Sequence, residues 1–210
     1  MNFKYYHTGT LILIIISLSV VIDSAITSKL YPYLTLHFHL GPQFKLPTTE
    51  TIVGGILLVY NEYLWKLPVF NYLVSLPNMN GRYEGRIAYE RLGKSEEKNC
   101  VIEIKQSASM VKVCSYFNND EKEKTSSISL IEEIKKDDNG FYTIHMFYLN
   151  GGAKIDGSLD CHEGACTLKF LPDKEPTKRK LIGHYFTNRL KQTRGEIEAT
   201  YSSAKINGKF

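Results

Sequence analysis

The sequence predicts an all-β domain, closed as a barrel of about eight antiparallel strands and preceded by two transmembrane α-helices. Two observations lead to this prediction. Two apolar stretches lie before residue 77, and after Pro77 apolar residues recur with a period of two. A period of two is typical of strands, whose successive side chains point to opposite faces. The predicted domains are a membrane anchor, residues 1–76, and a ligand-binding β-barrel, residues 77–210.

The first transmembrane helix is predicted at about residues 10–28. The stretch from Thr10 to Thr27 contains a single charged residue, Asp23. An apolar run of about 18 residues is long enough to span a bilayer. A signal peptide is the alternative, because Lys4 precedes the apolar region, but the only nearby cleavage motif is a weak one. We therefore expect an uncleaved anchor.

The second transmembrane helix is predicted at about residues 48–66. As a helix this segment would extend about 27 Å. Trp65 at its end suits a membrane interface. Glu50, Asn61 and Glu62 make the span marginal, although both glutamates can lie near the headgroups. The second span is thus the weaker of the two predictions.

Residues 28–47, between the two apolar segments, are expected to form a short loop that returns the chain to its starting side. Lysines flank both segments without a decisive bias, so charge does not fix the orientation. Cys161 and Cys166 in CHEGAC suggest a zinc site, but their spacing places them on opposite faces of a strand. We predict no metal. Free thiols favour a barrel in the reducing cytoplasm.

Strand segments follow Pro77 at close spacing, separated by the turn sequences DDNG, NGG and KQTRG. SLIEEIKK also fits a helix, but its neighbours favour a strand. The charged runs KSEEK and DEKEK are expected to be solvated loops. An eight-stranded, lipocalin-like barrel has an interior that holds one small ligand. The segments are NGRYEGRIAYER, CVIEIKQS, ASMVKVCSYF, SISLIEEIKK, GFYTIHMFYLN, HEGACTLKFL, KRKLIGHYFTNR and RGEIEATYSS.

Composition and motifs argue for a binding protein. The net charge of +4 is too mild for a protein that coats DNA or RNA. The sequence has no nucleophile elbow, P-loop, H-E-x-x-H or G-x-G-x-x-G motif, so we predict no enzymatic activity and no cofactor.

The candidate ligand-binding residues lie on strand faces that combine aromatic and polar side chains. Tyr185, Thr187 and Arg189 share one face of their strand, and an aromatic ring, a hydroxyl and a guanidinium suit a base and a phosphate. Each residue alone is commonly structural, but polar groups that face inward together need partners. The full set is Tyr83, Gln106, Tyr148, Asn150, Tyr185, Thr187 and Arg189.

The order of several short motifs resembles one family. Two membrane segments ending near LWK precede PNMNGRYEG and IEIKQS, and YLN, HEGACTL, GHYFTNR and RGEIE follow. This order is similar to that of the two-transmembrane, β-strand-rich effectors of bacterial cyclic-oligonucleotide (CBASS) antiphage defence, the CD-NTase-associated, STING-like β-barrel effectors. Many members carry Trp in the first barrel strand, where this chain has Tyr83.

The resemblance implies a multi-pass protein of the bacterial inner membrane with a cytoplasmic barrel. The barrel would bind a cyclic dinucleotide that a partner CD-NTase makes. Binding would drive homo-oligomerisation, and the membrane segments would then disrupt the lipid bilayer and kill the cell, as in abortive infection.

Two other functions are compatible with the sequence. One is a lipocalin-like, membrane-tethered carrier or sensor of an apolar small molecule, which would need an interior dominated by Ile, Met and Phe. The other is a structural membrane protein whose barrel docks a partner, which would have no internal cavity.

Overall fold

The computed structural model describes residues 3–38, 46–91, 94–118, 125–152, 161–189 and 192–209. The chain divides into two compact units. One comprises Met1–Pro77 together with the turn Ser107–Met110, and the other comprises Asn78–Gln106 and Val111–Phe210. Each unit is described separately below.

The second unit is a closed antiparallel barrel of eight strands, as the sequence predicts. Each strand pairs with the next, and β8 pairs with β1. SLIEEIKK is a strand, as expected. The strands are β1 Gly81–Arg91, β2 Lys94–Gln106, β3 Val111–Asn118, β4 Thr125–Lys136, β5 Tyr142–Asn150, β6 His162–Leu171, β7 Lys180–Thr187 and β8 Arg194–Ser203.

One loop prediction in this unit is wrong. KSEEK lies within β2, where its residues pair with the end of β1 from Ile87 to Arg91. Charged residues suit this part of the strand because one of its faces is solvated. The other charged run, DEKEK, lies outside the described residues.

Small residues and bulges let the barrel close. Gly85 faces Ala199 across the β1–β8 pair, and a Cβ on Gly85 would lie 2.0 Å from the Glu198 carbonyl oxygen. Only glycine allows the two backbones to approach this closely. Register shifts at Arg82/Tyr83 and at Ser129/Ile131 leave one extra residue on β8 and one on β4, and such bulges bend these two strands.

The packed core fills the end of the barrel at which β1 begins. Its largest side chains are less than 2 % exposed and come from strands on every side of the barrel. They include Tyr83, Ile102, Ile104, Ile144, Leu168, Phe170 and Leu181. The other end, at which β1 finishes, is therefore the part of the interior left for a ligand.

In the first unit, one continuous helix covers the whole of the predicted first span and extends beyond it. It comprises α1 Thr8–Ala25, a π-helical turn Ile26–Leu30 and α2 Tyr31–Phe38. The expected loop is therefore wrong for residues 28–38, and residues 39–45 lie outside the described part of the chain. The π-helical turn precedes Pro32, whose missing N–H interrupts α-helical hydrogen bonding.

The prediction of a second transmembrane helix is wrong. Among the described residues, Thr8–Phe38 is the one helix long and apolar enough to cross a membrane, judged by length and composition. The second helix, α3 Thr49–Glu62, has only 14 residues, or about 21 Å. Near its end the polar Asn61 is buried and accepts a hydrogen bond from the Tyr6 hydroxyl at 3.3 Å. A 3-10 turn with the buried Trp65 follows.

The two helices nevertheless run antiparallel, as a hairpin requires. Near the start of α3, the Thr49 hydroxyl donates to Asp23 Oδ1 at 3.3 Å. Near its end, the ring of Tyr60 lies 6.1 Å from that of Tyr6, which precedes α1. The chain therefore returns alongside α1 with a segment too short to span the hydrocarbon core by itself.

Candidate ligand-binding site

A cavity of about 540 Å³ occupies the end of the barrel at which β1 finishes. This volume lies in the usual range of small-molecule sites. All eight strands contribute residues to its wall or rim. Its presence argues against a purely structural barrel, for which we expected no cavity.

Arg189 lies at the rim of the cavity, directly after β7. Its Nη2 donates to Nδ1 of His162, at the start of β6, over 2.8 Å. Its Nε is buried and has no hydrogen-bond partner among the residues that the structure describes. A buried guanidinium N–H without an acceptor is costly, so the site has an unfilled requirement for an acceptor.

A second cation lines the same cavity. Lys98 of β2 has its ammonium 5.5 Å from the centre of the Tyr89 ring. The Tyr89 hydroxyl in turn donates to Glu96 Oε2 at 2.6 Å. Cationic and aromatic groups therefore occur side by side on this wall, an arrangement that suits both a phosphate and a base.

Tyr148 reaches into the cavity because it faces a glycine. Gly164 pairs with Tyr148 across β5–β6, and a Cβ there would lie 2.4 Å from the Tyr148 hydroxyl oxygen. The hydroxyl donates to the Phe186 carbonyl oxygen at 3.3 Å. Burial, with a smaller contribution from Cys166, raises the pKa of Tyr148, so its phenol stays protonated.

Tyr185 and Tyr89 flank a second glycine, Gly195, on the two neighbouring strands. Gly195 pairs with both tyrosines, and a Cβ on it would lie 2.8 Å from Tyr185 Cε1 and 2.9 Å from Tyr89 Cβ. Both tyrosines therefore line the part of the wall that β7, β8 and β1 form. Burial and the neighbouring Tyr89 raise the pKa of Tyr185, and the cationic Arg189 opposes this shift.

Asn150 and Thr187 line the cavity but already have protein partners. Asn150 Nδ2 donates to Ser127 Oγ at 2.8 Å, and its Oδ1 accepts from the Gly152 N–H at 2.9 Å. Thr187 Oγ1 accepts from the Thr193 N–H at 3.0 Å. These two residues therefore hold the shape of the wall.

Comparison with known proteins identifies the domain. A family model described as Cap15, cyclic dinucleotide receptor domain, matches residues 74–201, more than half of the chain. The chain belongs to this Cap15 family. The match confirms the resemblance to the CD-NTase-associated β-barrel effectors of CBASS. Comparison with curated protein sequences found no match.

The Cap15 domain brings together five of the seven residues proposed from the sequence. Tyr148, Asn150, Tyr185, Thr187 and Arg189 all line the cavity. Their roles toward a ligand remain a proposal, since the structure gives their positions only.

Tyr83 and Gln106 point inward but lie outside the cavity wall. The Tyr83 hydroxyl donates to the Met79 carbonyl oxygen at 2.9 Å. Gln106 Oε1 accepts from the Met79 N–H at 2.8 Å. Both residues hold the segment that enters β1, at the packed end of the Cap15 domain. Strand alternation gave their face correctly, but it gave no information on their level along the barrel.

Several cavity residues did not enter the sequence-based set. Tyr89 and Lys98 were missed, although Tyr89 has the same strand parity as Tyr83. His162 also lines the cavity and was not among the residues proposed from the sequence. Among the described residues, no three His, Cys, Asp or Glu side chains are grouped so as to hold a metal ion.

Proposed function

We propose that this chain is a membrane-anchored CBASS effector whose barrel cavity binds a cyclic dinucleotide made by a partner CD-NTase. The observation that carries the proposal is Arg189 at the cavity rim, whose buried Nε has no hydrogen-bond acceptor among the described residues. A phosphate oxygen of the ligand would supply that acceptor. Tyr185, on the strand that leads to Arg189, and the neighbouring Tyr89 would stack against a base.

Replacing Arg189 tests this proposal. We expect Arg189→Ala to lower the affinity for cyclic dinucleotides at least tenfold, because a hydrogen bond to a charged group contributes about 1.5–3 kcal/mol net. Isothermal titration calorimetry on the full-length chain in detergent measures the change. Arg86→Ala is the matched control, because Arg86 points outward and its side chain is 73 % exposed.

The competing function gives the opposite result. A lipocalin-like carrier of an apolar molecule would keep or gain affinity for its ligand when the Arg189 charge is removed. Unchanged cyclic dinucleotide affinity in Arg189→Ala would therefore count against our proposal. The polar residues in the wall, among them Ser115, Ser127 and Asn150, already disfavour a purely apolar ligand.

We further propose that ligand binding drives homo-oligomerisation and that the clustered anchors disrupt the inner membrane. The support is the helix Thr8–Phe38, whose apolar side chains such as Leu13 and Val20 are largely exposed. The ligand shifts assembly only if it binds the assembled form more tightly than the monomer.

Exchange of the anchor tests this second step. A chimera that carries an unrelated membrane helix in place of residues 1–76 should retain ligand binding and clustering but lose toxicity in cells that make the ligand. Binding is measured by calorimetry, clustering by cross-linking and toxicity by membrane depolarisation. Full toxicity of the chimera would mean that the anchor is a passive tether.

A further inference from the structure

A row of polar side chains crosses one half of the barrel interior without a break. Cross-strand pairs join Ser115 on β3 to Ser127 on β4, Ser127 to Asn150 on β5, and Asn150 to His162 on β6. All four line the cavity, and each is at most 9 % exposed. The position of the row is fixed by strand register, because directly paired residues share one face.

The members of this row differ in their hydrogen bonding. Asn150 is held from both sides, by Ser127 Oγ and by the Gly152 N–H. His162 accepts from Arg189. Ser115 as a whole residue is 6 % exposed. Its hydroxyl forms no hydrogen bond with any residue that the structure describes. A hydroxyl that faces a cavity and has no hydrogen-bond partner among the described residues is available to a ligand.

The wall opposite this row is aromatic. β3, β4 and β5 lie across the closed barrel from β7, β8 and β1. Tyr89 and Tyr185 lie on that far side, on either side of Gly195. A base in the cavity would therefore have the tyrosines on one side and the serines on the other.

We propose that Ser115 is a specificity-determining residue, whose hydroxyl hydrogen-bonds to the edge of one base of the cyclic dinucleotide. This inference rests on the proposed function. Ser127 assists, since Asn150 already donates to its oxygen and leaves its hydroxyl hydrogen for the base. Stacking does not distinguish strongly between bases, so selectivity must come from hydrogen bonds of this kind.

The test compares four cyclic dinucleotides that contain only adenine, only guanine, only cytosine or only uracil. Their affinities for the full-length chain and for Ser115→Ala are measured by calorimetry in detergent. We expect the wild-type chain to discriminate among the four. In Ser115→Ala, the affinity for the preferred ligand should fall about three- to tenfold and the affinities for the others should fall less, as loss of one neutral hydrogen bond predicts.

Ser126→Ala is the matched control, because Ser126 neighbours Ser127 on β4 but is exposed. It should leave all four affinities unchanged, and thermal melting should show that both variants are folded. An equal loss for all four ligands, no change in Ser115→Ala, or no discrimination by the wild-type chain would overturn the inference while leaving the proposed function intact. Failure of the wild-type chain to bind any of the four would overturn both.

Discussion

At the scale of single residues, the two glycines of the cavity wall decide which tyrosines reach a ligand. Gly164 lies under Tyr148, and Gly195 lies under Tyr89 and Tyr185. A side chain at either glycine would occupy space that the rings now fill. The aromatic character of the site therefore depends as much on these missing side chains as on the tyrosines themselves.

Gly164→Ala tests this dependence. The added Cβ would lie 2.4 Å from both the Phe186 carbonyl oxygen and the Tyr148 hydroxyl oxygen, so the backbone or the ring must move. We expect a loss of about 1–3 kcal/mol in the free energy of unfolding, as for other overpacked sites, together with weaker ligand binding. Chemical denaturation and calorimetry measure the two effects.

Gly151→Ala provides the control for the change from glycine to alanine. Its φ is not in the left-handed region, and the nearest atom to an added Cβ is the Ser126 carbonyl oxygen at 4.0 Å. Similar stability and ligand affinity in the two variants would show that Tyr148 can adjust without cost.

At the scale of elements, the two N-terminal helices differ in their fitness for a membrane. The helix Thr8–Phe38 exposes Ile12, Leu13, Ile16 and Val20 to an extent of half or more. By contrast, α3 is short, and polar residues lie at both of its ends, Glu50 and Glu62. A short helix with charged ends is more stable at an interface or against protein than across the hydrocarbon core.

Two lysine substitutions test which of the two helices crosses the membrane. Ile16→Lys should shift the chain from the membrane fraction toward the supernatant, because a lysine at the centre of a membrane helix costs about 2.5–3.5 kcal/mol. Ile56→Lys, in α3, should remain with the membrane. Flotation of cell membranes measures both. Equal release of the two variants would mean that α3 also crosses the bilayer.

At the scale of the whole molecule, the four cysteines report on sidedness and on ligand access. All are free, and Cys161 is exposed whereas Cys100 and Cys166 are buried. Burial raises the pKa of Cys100 and of Cys166 to about 12, so almost none of either thiol is ionised at pH 8. Their alkylation should therefore be slow in the folded protein and should accelerate on unfolding.

Cys161 lines the rim of the cavity, so its labelling gives two readouts. With a cytoplasmic barrel, an impermeant maleimide should label it only after cells are permeabilised. In the purified full-length chain, a bound cyclic dinucleotide should slow its labelling. Cys161→Ser should abolish the rapid phase in both experiments. Rapid labelling of intact cells from the periplasmic side would place the barrel outside the cytoplasm.

The sequence by itself determined the eight strands, the inward face of each candidate residue and the first apolar helix. These properties depend on local periodicity and on the length of an apolar run. Both features are determined by residues that are close together in the sequence. The order of the motifs also indicated the family, because it can be recognised without knowledge of the three-dimensional structure.

Only the tertiary structure decided which inward residues meet. Tyr83 and Tyr89 are on the same face of β1, yet Tyr83 lies at the packed end of the barrel and Tyr89 lines the cavity. Strand register and bulges decide how far along the barrel axis each inward side chain lies. The apolar period of two in the sequence predicts neither the register nor the bulges. In the same way, the buried Asn61 near the end of α3 accepts a hydrogen bond from Tyr6, which is distant in sequence. Hydropathy along the chain cannot detect such contacts, because they depend on what the folded chain places beside each residue.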